Sequence, residues 1–449
     1  SKSASNNYMP LFVRGCLETS ESQHLTESTL MQTQKHSTQN HVRSRCRLVS
    51  ATLPAMMFLT LMNSVIAGNS PRMIEVSDGT QAYTGMVVAR SPQDCFIVDK
   101  FGRQVQLPIN SLKSFEVVAE KFRPASQSQF RRMLEAELGS GYEVATSKHY
   151  VVCGERGRSR SHAALFENFY NEIVSFYSIR GFRTSDPETP LVAIVLRNQE
   201  EFKKYCEQDQ VAWTKGLRGY YLRSSNRVAL YDTPELLKSA QLTPGADRSM
   251  LETTFMASMS SSRLTPHPFG ESFVSLQSGA LASTVSGETA DTIIHETTHQ
   301  VGFNIGIHNR IAETPSWTLE GLATVLESPG LRDRSSSGSP ADKINSERLE
   351  WFRREYAQRR QPGDLAKLIA SDDMFRTQTL DAYSAAWGIT WFLTENPARA
   401  RLFAKYLRTV SERDPVLPYT PEARLDDFQS AFGDISRLEV DYVRALDRL

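Results

Sequence analysis

The sequence has little cysteine and no excess of either charge. Five Cys among 449 residues, with no CxxC pair, exclude a disulfide-stapled scaffold and a thiolate zinc site. Lys and Arg total 51 and so do Asp and Glu, so no net field draws the chain to nucleic acid or another polyanion. An internal repeat is also lacking, which excludes a solenoid. What remains is an ordinary folded composition, 40% hydrophobic and 23% charged, at a length that accommodates two or three globular units.

Long apolar runs are absent but for one. Residues 1–42 are rich in Ser, Thr, Gln and Asn and are expected to be disordered. Arg43, Arg45 and Arg47 then precede an apolar stretch from Leu48 to Ala67, followed by Gly68-Asn69-Ser70-Pro71. With Val65 and Ala67 as the small pair, residues 43–67 have the form of an export signal, so a mature chain is expected to begin near Gly68. A membrane anchor is the alternative if the segment stays uncleaved, although Thr52, Thr60, Asn63 and Ser64 weaken it. Met31 would be a more usual start for such a leader than residue 1. The expected location is secreted or periplasmic, with three Cys left to the exported part, at most one bridge and none required.

Residues 72–118 alternate in short runs, Met73–Val76, Ala82–Arg90, Cys95–Val98, Val105–Leu107 and Phe115–Val118, separated by turn signals. Five short strands in so few residues predict a small all-β module, SH3-like in its turn spacing, that could contact a partner or the cell envelope. The alternative is an N-terminal sheet of the main domain. Residues 119–139 are charged and helix-prone, as in a helical linker. From 140 to 330 strands and helices mix: Tyr150–Cys153, an amphipathic helix Ala163–Tyr177, an apolar strand Leu191–Leu196, a helix Gln199–Gln208, and a hairpin of Gly219–Leu222 with Val228–Tyr231. Residues 234–285 are Ser-rich and aperiodic and read as an insertion. From Ser346 to the end, 346–449, the pattern is helical, with Asn396 placed to cap a helix opened by Pro397.

One local pattern carries chemistry. His295-Glu296-Thr297-Thr298-His299 is an HExxH, in a segment that Ser286 can cap, with Gly287 opening the helix and Glu288 in its first turn. On a helix, residues four apart share a face, so the two imidazoles can converge on one zinc ion while the Glu stands beside them as a general base for water. A catalytic zinc needs a third protein ligand. A metzincin would place a His at 305, but that residue is Ile305, and His308 comes three residues late. A gluzincin takes a Glu from a second helix. In Trp317-Thr318-Leu319-Glu320-Gly321-Leu322-Ala323, opened by Pro315, Glu320 is in place and Gly321 would let this helix approach the first closely. Beyond it, Tyr383 at the start of a helix is the candidate oxyanion donor; the alternative is an aromatic core residue beside Trp387 and Trp391. His308 is a weaker second candidate, in an expected loop.

The stretch His295 to Glu327, with Gly302, Pro315, Trp317 and Glu320-Gly321-Leu322-Ala323, resembles a bacterial gluzincin-type (HExxH…E) zinc metallopeptidase-like family known as a domain of unknown function. The likeness extends from about Tyr142, through Gly219-Tyr220-Tyr221 and Val228–Asp232, into the C-terminal helices. It implies an α+β fold: a zincin-like lobe at 140–330 with a helical C-terminal subdomain, preceded by the β module. It implies a hydrolase of peptide bonds holding one Zn²⁺ on His295, His299 and Glu320, with Glu296 activating water and a peptide or protein as substrate. A catalytically idle binding protein of the same fold is the alternative, and the intact Glu296 speaks against it. One departure concerns the residue that orients a ligand histidine: thermolysin-like enzymes carry an Asp four residues after the ligand Glu, and here that position is Thr324.

Overall fold

The computed structural model describes residues 71–214, 216–233, 280–282, 289–332 and 340–449. The expected disordered segment, the export signal, most of the 234–285 insertion and the capping residues Ser286, Gly287 and Glu288 lie outside the described residues. The content is mixed α+β, with a β-rich N-terminal region and a helical C-terminal region. No described helix is long and apolar enough to cross a membrane.

The first five strands are β1 (Met73–Ser77), β2 (Ala82–Arg90), β3 (Asp94–Asp99), β4 (Gln104–Pro108) and β5 (Ser114–Ala119). All pair antiparallel in the order β4-β3-β2-β1-β5, and Ile74, Val76, Val87, Cys95, Ile97 and Leu107 form a core of their own. This sheet is tied to later parts of the chain. Gln104 N–H donates to the Ser224 carbonyl at 2.7 Å, and Arg310 Nη2 donates to the Gly102 carbonyl at 2.8 Å.

Helix α1 (Gln127–Leu138) opens with a reciprocal capping box, in which the Ser126 hydroxyl accepts from Gln129 N–H and the Gln129 side chain accepts from Ser126 N–H. The segment read as a linker is therefore a packed element: Phe130 and Leu134 are fully buried beneath the second sheet. That sheet comprises β6 (Tyr142–Thr146), β7 (Tyr150–Glu155), β8 (Leu191–Leu196), β9 (Gly219–Leu222), β10 (Arg227–Tyr231) and β11 (Ala280–Ala282), ordered β11-β9-β10-β8-β7-β6. Helix α2 (Ser159–Ile179) connects β7 to β8, which run parallel, and α3 (Gln199–Gln208) follows β8. Strand β8 is apolar throughout because both faces are covered. Leu191, Ala193 and Val195 join the core of α2, whereas Val192, Ile194 and Leu196 face α1 and α3. Strand β11, from within the expected insertion, pairs antiparallel with β9 at the sheet edge.

Helix α4 (Thr289–Asn304) carries the HExxH and α5 (Ser316–Leu326) carries Glu320, followed by the single turn α6 (Pro329–Arg332). The helical region then runs α7 (Ser346–Trp351), continuing in a π turn at Phe352–Tyr356, α8 (Asp364–Ala370), α9 (Asp373–Thr377), α10 (Thr379–Glu395), α11 (Pro397–Ser411), α12 (Pro421–Phe432) and α13 (Ile435–Asp447). Asn396 Oδ1 accepts from Ala398 and Arg399 N–H with Pro397 at the first helical position, as its pattern predicts. All three described Cys (95, 153 and 206) are free thiols and buried.

Gly321 differs from expectation in its neighbour. It permits the close approach of α5 to α10, not to α4: a Cβ there would lie 2.1 Å from Thr390 Oγ1 and 2.7 Å from the Ala386 carbonyl oxygen. The Thr hydroxyl can rotate away, but the carbonyl belongs to helical backbone and cannot. Gly321→Ala is therefore expected to destabilise the protein by about 1–3 kcal/mol despite its gain in helix propensity, read as a lowered midpoint in denaturant unfolding. An unchanged midpoint would mean that α5 and α10 are free to separate.

Candidate metal centre

Helix α4 presents two adjacent rows of side chains, each with a spacing of four. Glu296, Gln300 and Asn304 form the row that faces the sheet. Glu296 Oε2 accepts the Tyr221 N–H at 2.8 Å, Gln300 Nε2 donates to the Val192 and Asn226 carbonyls at 2.9 Å each, and Asn304 Nδ2 donates to Asn226 Oδ1 at 2.7 Å. Three polar side chains thus clamp α4 onto β8, β9 and the β9–β10 turn, and these bonds offset part of the cost of burying Glu296 and Gln300. His295 and His299 form the neighbouring row. Their rings lie 4.7 Å apart, nearly perpendicular at 83°.

Glu320 on α5 closes the third side. One ligand atom from each of His295, His299 and Glu320 lies within 4.8 Å of the others, and all three residues are buried. His295 Nε2 is 3.2 Å from Glu320 Oε2, and His299 Nε2 is 3.8 Å from Glu320 Oε1. Ligands of a tetrahedral zinc at ~2.0–2.1 Å stand ~3.3–3.4 Å apart, so the separations suit one such ion after small side-chain adjustments. The group could hold a metal ion, and two imidazoles with one carboxylate suit zinc better than magnesium or calcium, which take oxygen ligands.

Charge at the site is set by burial and by this carboxylate. Burial depresses the His295 imidazole, but its bonds to Glu320 and Glu327 outweigh that and raise it to about 10. Burial, reinforced by His295, drives His299 down to about 3. Burial pushes the Glu320 carboxyl up, but the two imidazoles and the Tyr383 hydroxyl hold it below the usual range.

Two residues read from the sequence reach this centre from different directions. Tyr383, in the first turns of α10, is buried, and its hydroxyl and the Glu320 carboxylate act on each other's protonation. Burial and then Glu320 keep that hydroxyl well above its ordinary range, so it stays a donor. His308 is not on an open loop. It is 5% exposed and lies against Gly302, where a Cβ would stand 2.9 Å from its Cδ2. Burial first, and then the neighbouring His299 and Arg223, push it down to about 3, so its imidazole is neutral.

Other residues escaped sequence reasoning. Thr324 does not orient a histidine, because its hydroxyl folds back onto the Glu320 carbonyl at 2.6 Å. That task falls to Glu327, whose Oε1 is 2.8 Å from His295 Nδ1. Glu327 is seven residues beyond Glu320, two helical turns on the same face, so helical spacing held a signal for it. Asn345 in turn donates Nδ2 to Glu327 Oε2 at 2.6 Å while its Oδ1 caps α7. A carboxylate on the far nitrogen of a ligand imidazole fixes its tautomer and raises its basicity. With zinc as the probe metal, Glu327→Ala is expected to weaken binding about 10- to 100-fold, measured by competition with a chromogenic chelator. Unaltered affinity would mean that His295 needs no such support.

The profile of the family described as "Protein of unknown function (DUF1570)" matches residues 289–417. The match begins with α4 and ends beyond α11, so it takes in both histidines, Glu296, Glu320, Glu327, Asn345 and Tyr383. No curated protein matches the chain.

Proposed function

We propose that this protein is an exported, zinc-dependent metallopeptidase of gluzincin type with a zincin-like lobe, acting on peptide or protein substrates. The observation that carries the reading is the convergence of His295, His299 and Glu320 within 4.8 Å beside the buried Glu296. His295, His299 and Glu320 would hold the zinc, which would supply Lewis acidity that makes water nucleophilic near neutral pH. Glu296 takes the proton from the attacking water and passes it to the amine nitrogen as the peptide bond breaks. Its bond to Tyr221 N–H keeps one carboxylate oxygen oriented while the group shuttles that proton. Tyr383 donates its hydroxyl to the oxygen that gains negative charge.

The regions before the metal centre bear on where the protein acts. In the N-terminal sheet β1 lies between β2 and β5, an order that suits a small SH3-like module able to contact a partner or the cell envelope. Location outside the cytoplasm rests on Arg43 to Ala67. Retention of Glu296 with a full ligand set argues against an idle binding protein.

Elemental analysis of the purified chain together with a peptide-library digest tests the reading. One zinc per chain and cleavage that a chelator stops are expected; a metal-free chain, or no cleavage by the zinc-loaded one, would overturn it. Tyr383→Phe keeps the ring and removes only the donor. It should lower kcat by about 10²–10³ with little change in KM. A kcat within about threefold of wild type would make Tyr383 a packing residue.

A further inference from the structure

Arg348 stands out among the buried arginines. It is 5% exposed, and its guanidinium lies over the Tyr383 ring, 5.5 Å from the centroid. Its backbone is held from two sides, with its N–H donating to Asn345 Oδ1 at 3.2 Å and its carbonyl accepting from Ser384 Oγ at 2.9 Å. The side chain is not held in the same way. Nε is buried with no hydrogen-bond partner, and the one ion pair among the described residues is to Glu347, 3.5 Å from Nη1.

Equally buried arginines among the described residues have hydrogen-bonded guanidiniums. Arg223, 3% exposed, donates Nη2 to the Asn309, Arg310 and Ala312 carbonyls. Arg424 is 3% exposed and reaches both Asp372 oxygens, Glu313 and the Tyr419 carbonyl. Arg227, 6% exposed, takes both Glu137 oxygens and the Tyr205 hydroxyl. A buried guanidinium without such partners is costly, and the cost is offset where an acceptor arrives from outside. The planar fork of an arginine matches a carboxylate with two parallel bonds. Tyr383 lies against both this fork and Glu320, so a single aromatic side chain stands between the fork and a metal-ligating carboxylate.

We propose that Arg348 receives the free C-terminal carboxylate of the substrate, so that hydrolysis falls within one or two residues of a peptide's C-terminus. The inference rests on the peptidase reading and adds its substrate class: peptides with an unblocked C-terminus.

Calorimetric titration of the zinc-loaded Glu296→Gln protein tests it without turnover, using short peptides identical except for a C-terminal acid or amide. The acid should bind at least tenfold tighter than the amide. Arg348→Gln in the same background should bring the two within about twofold, and Arg348→Lys should recover part of the difference. Equal binding of acid and amide, or binding of neither, overturns the proposal, and that comparison needs no change at residue 348. Wild-type digests separate the two readings. Cleavage of internal bonds in amidated peptides at the rate seen for acids leaves the peptidase reading standing and removes the role of Arg348. Acid-selective binding with no hydrolysis of any peptide removes the peptidase reading and keeps carboxylate recognition.

Discussion

Replacing Glu296 with Gln is expected to abolish peptide hydrolysis while the metal stays bound. Glutamine has the size of glutamate, and its carbonyl oxygen can still accept the Tyr221 N–H that Glu296 Oε2 now accepts at 2.8 Å. The fully buried position is therefore filled and bonded much as before, and His295, His299 and Glu320 keep their places. What is lost is the proton acceptor. General-base catalysis contributes about 10²–10⁴ to a rate, so kcat should fall by at least that factor. Steady-state kinetics measures the fall, and elemental analysis of the same sample checks that zinc remains. Turnover within about threefold of wild type would remove Glu296 from the mechanism.

Glu320→Ala should act on the metal itself. With the carboxylate gone, two histidines remain, an incomplete site for a catalytic zinc. Zinc affinity should fall by more than the ~10- to 100-fold that loss of a supporting carboxylate such as Glu327 produces, and activity should vanish with it. Elemental analysis after dialysis, and competition against a chelator, give the numbers. Glu320 also lies against His295, His299 and Tyr383, so its loss removes the carboxylate that faces both imidazoles and leaves the Tyr383 hydroxyl without it. Full zinc occupancy in Glu320→Ala would place the third ligand elsewhere.

The two residues differ in how legible they were. Glu296 belongs to a five-residue pattern whose geometry is a consequence of helical spacing alone. Glu320 required a second helix and a return of the chain, which Pro315 and Gly321 marked only in outline. Gly321 shows the limit: its need for close packing was readable, but its neighbour proved to be α10 instead of α4, because a missing side chain does not say which element fills the space. Residues 119–139 show another limit. Their charge suggested a connector, yet Phe130 and Leu134, four apart, were enough to bury one face of α1.

By itself the sequence determined whatever depends on neighbours along one element. That covers the HExxH face, the cap at Asn396, the strand–helix alternation, and the apolar β8. Tertiary structure alone decided which separate elements meet. It placed Tyr221 N–H on Glu296, Glu327 and Asn345 behind His295, Tyr383 on Glu320, and Arg348 over Tyr383. The physical reason is one of range. Helical and strand periods set directions within a few residues, whereas distances between side chains 18 to 75 positions apart depend on how whole faces pack to exclude water.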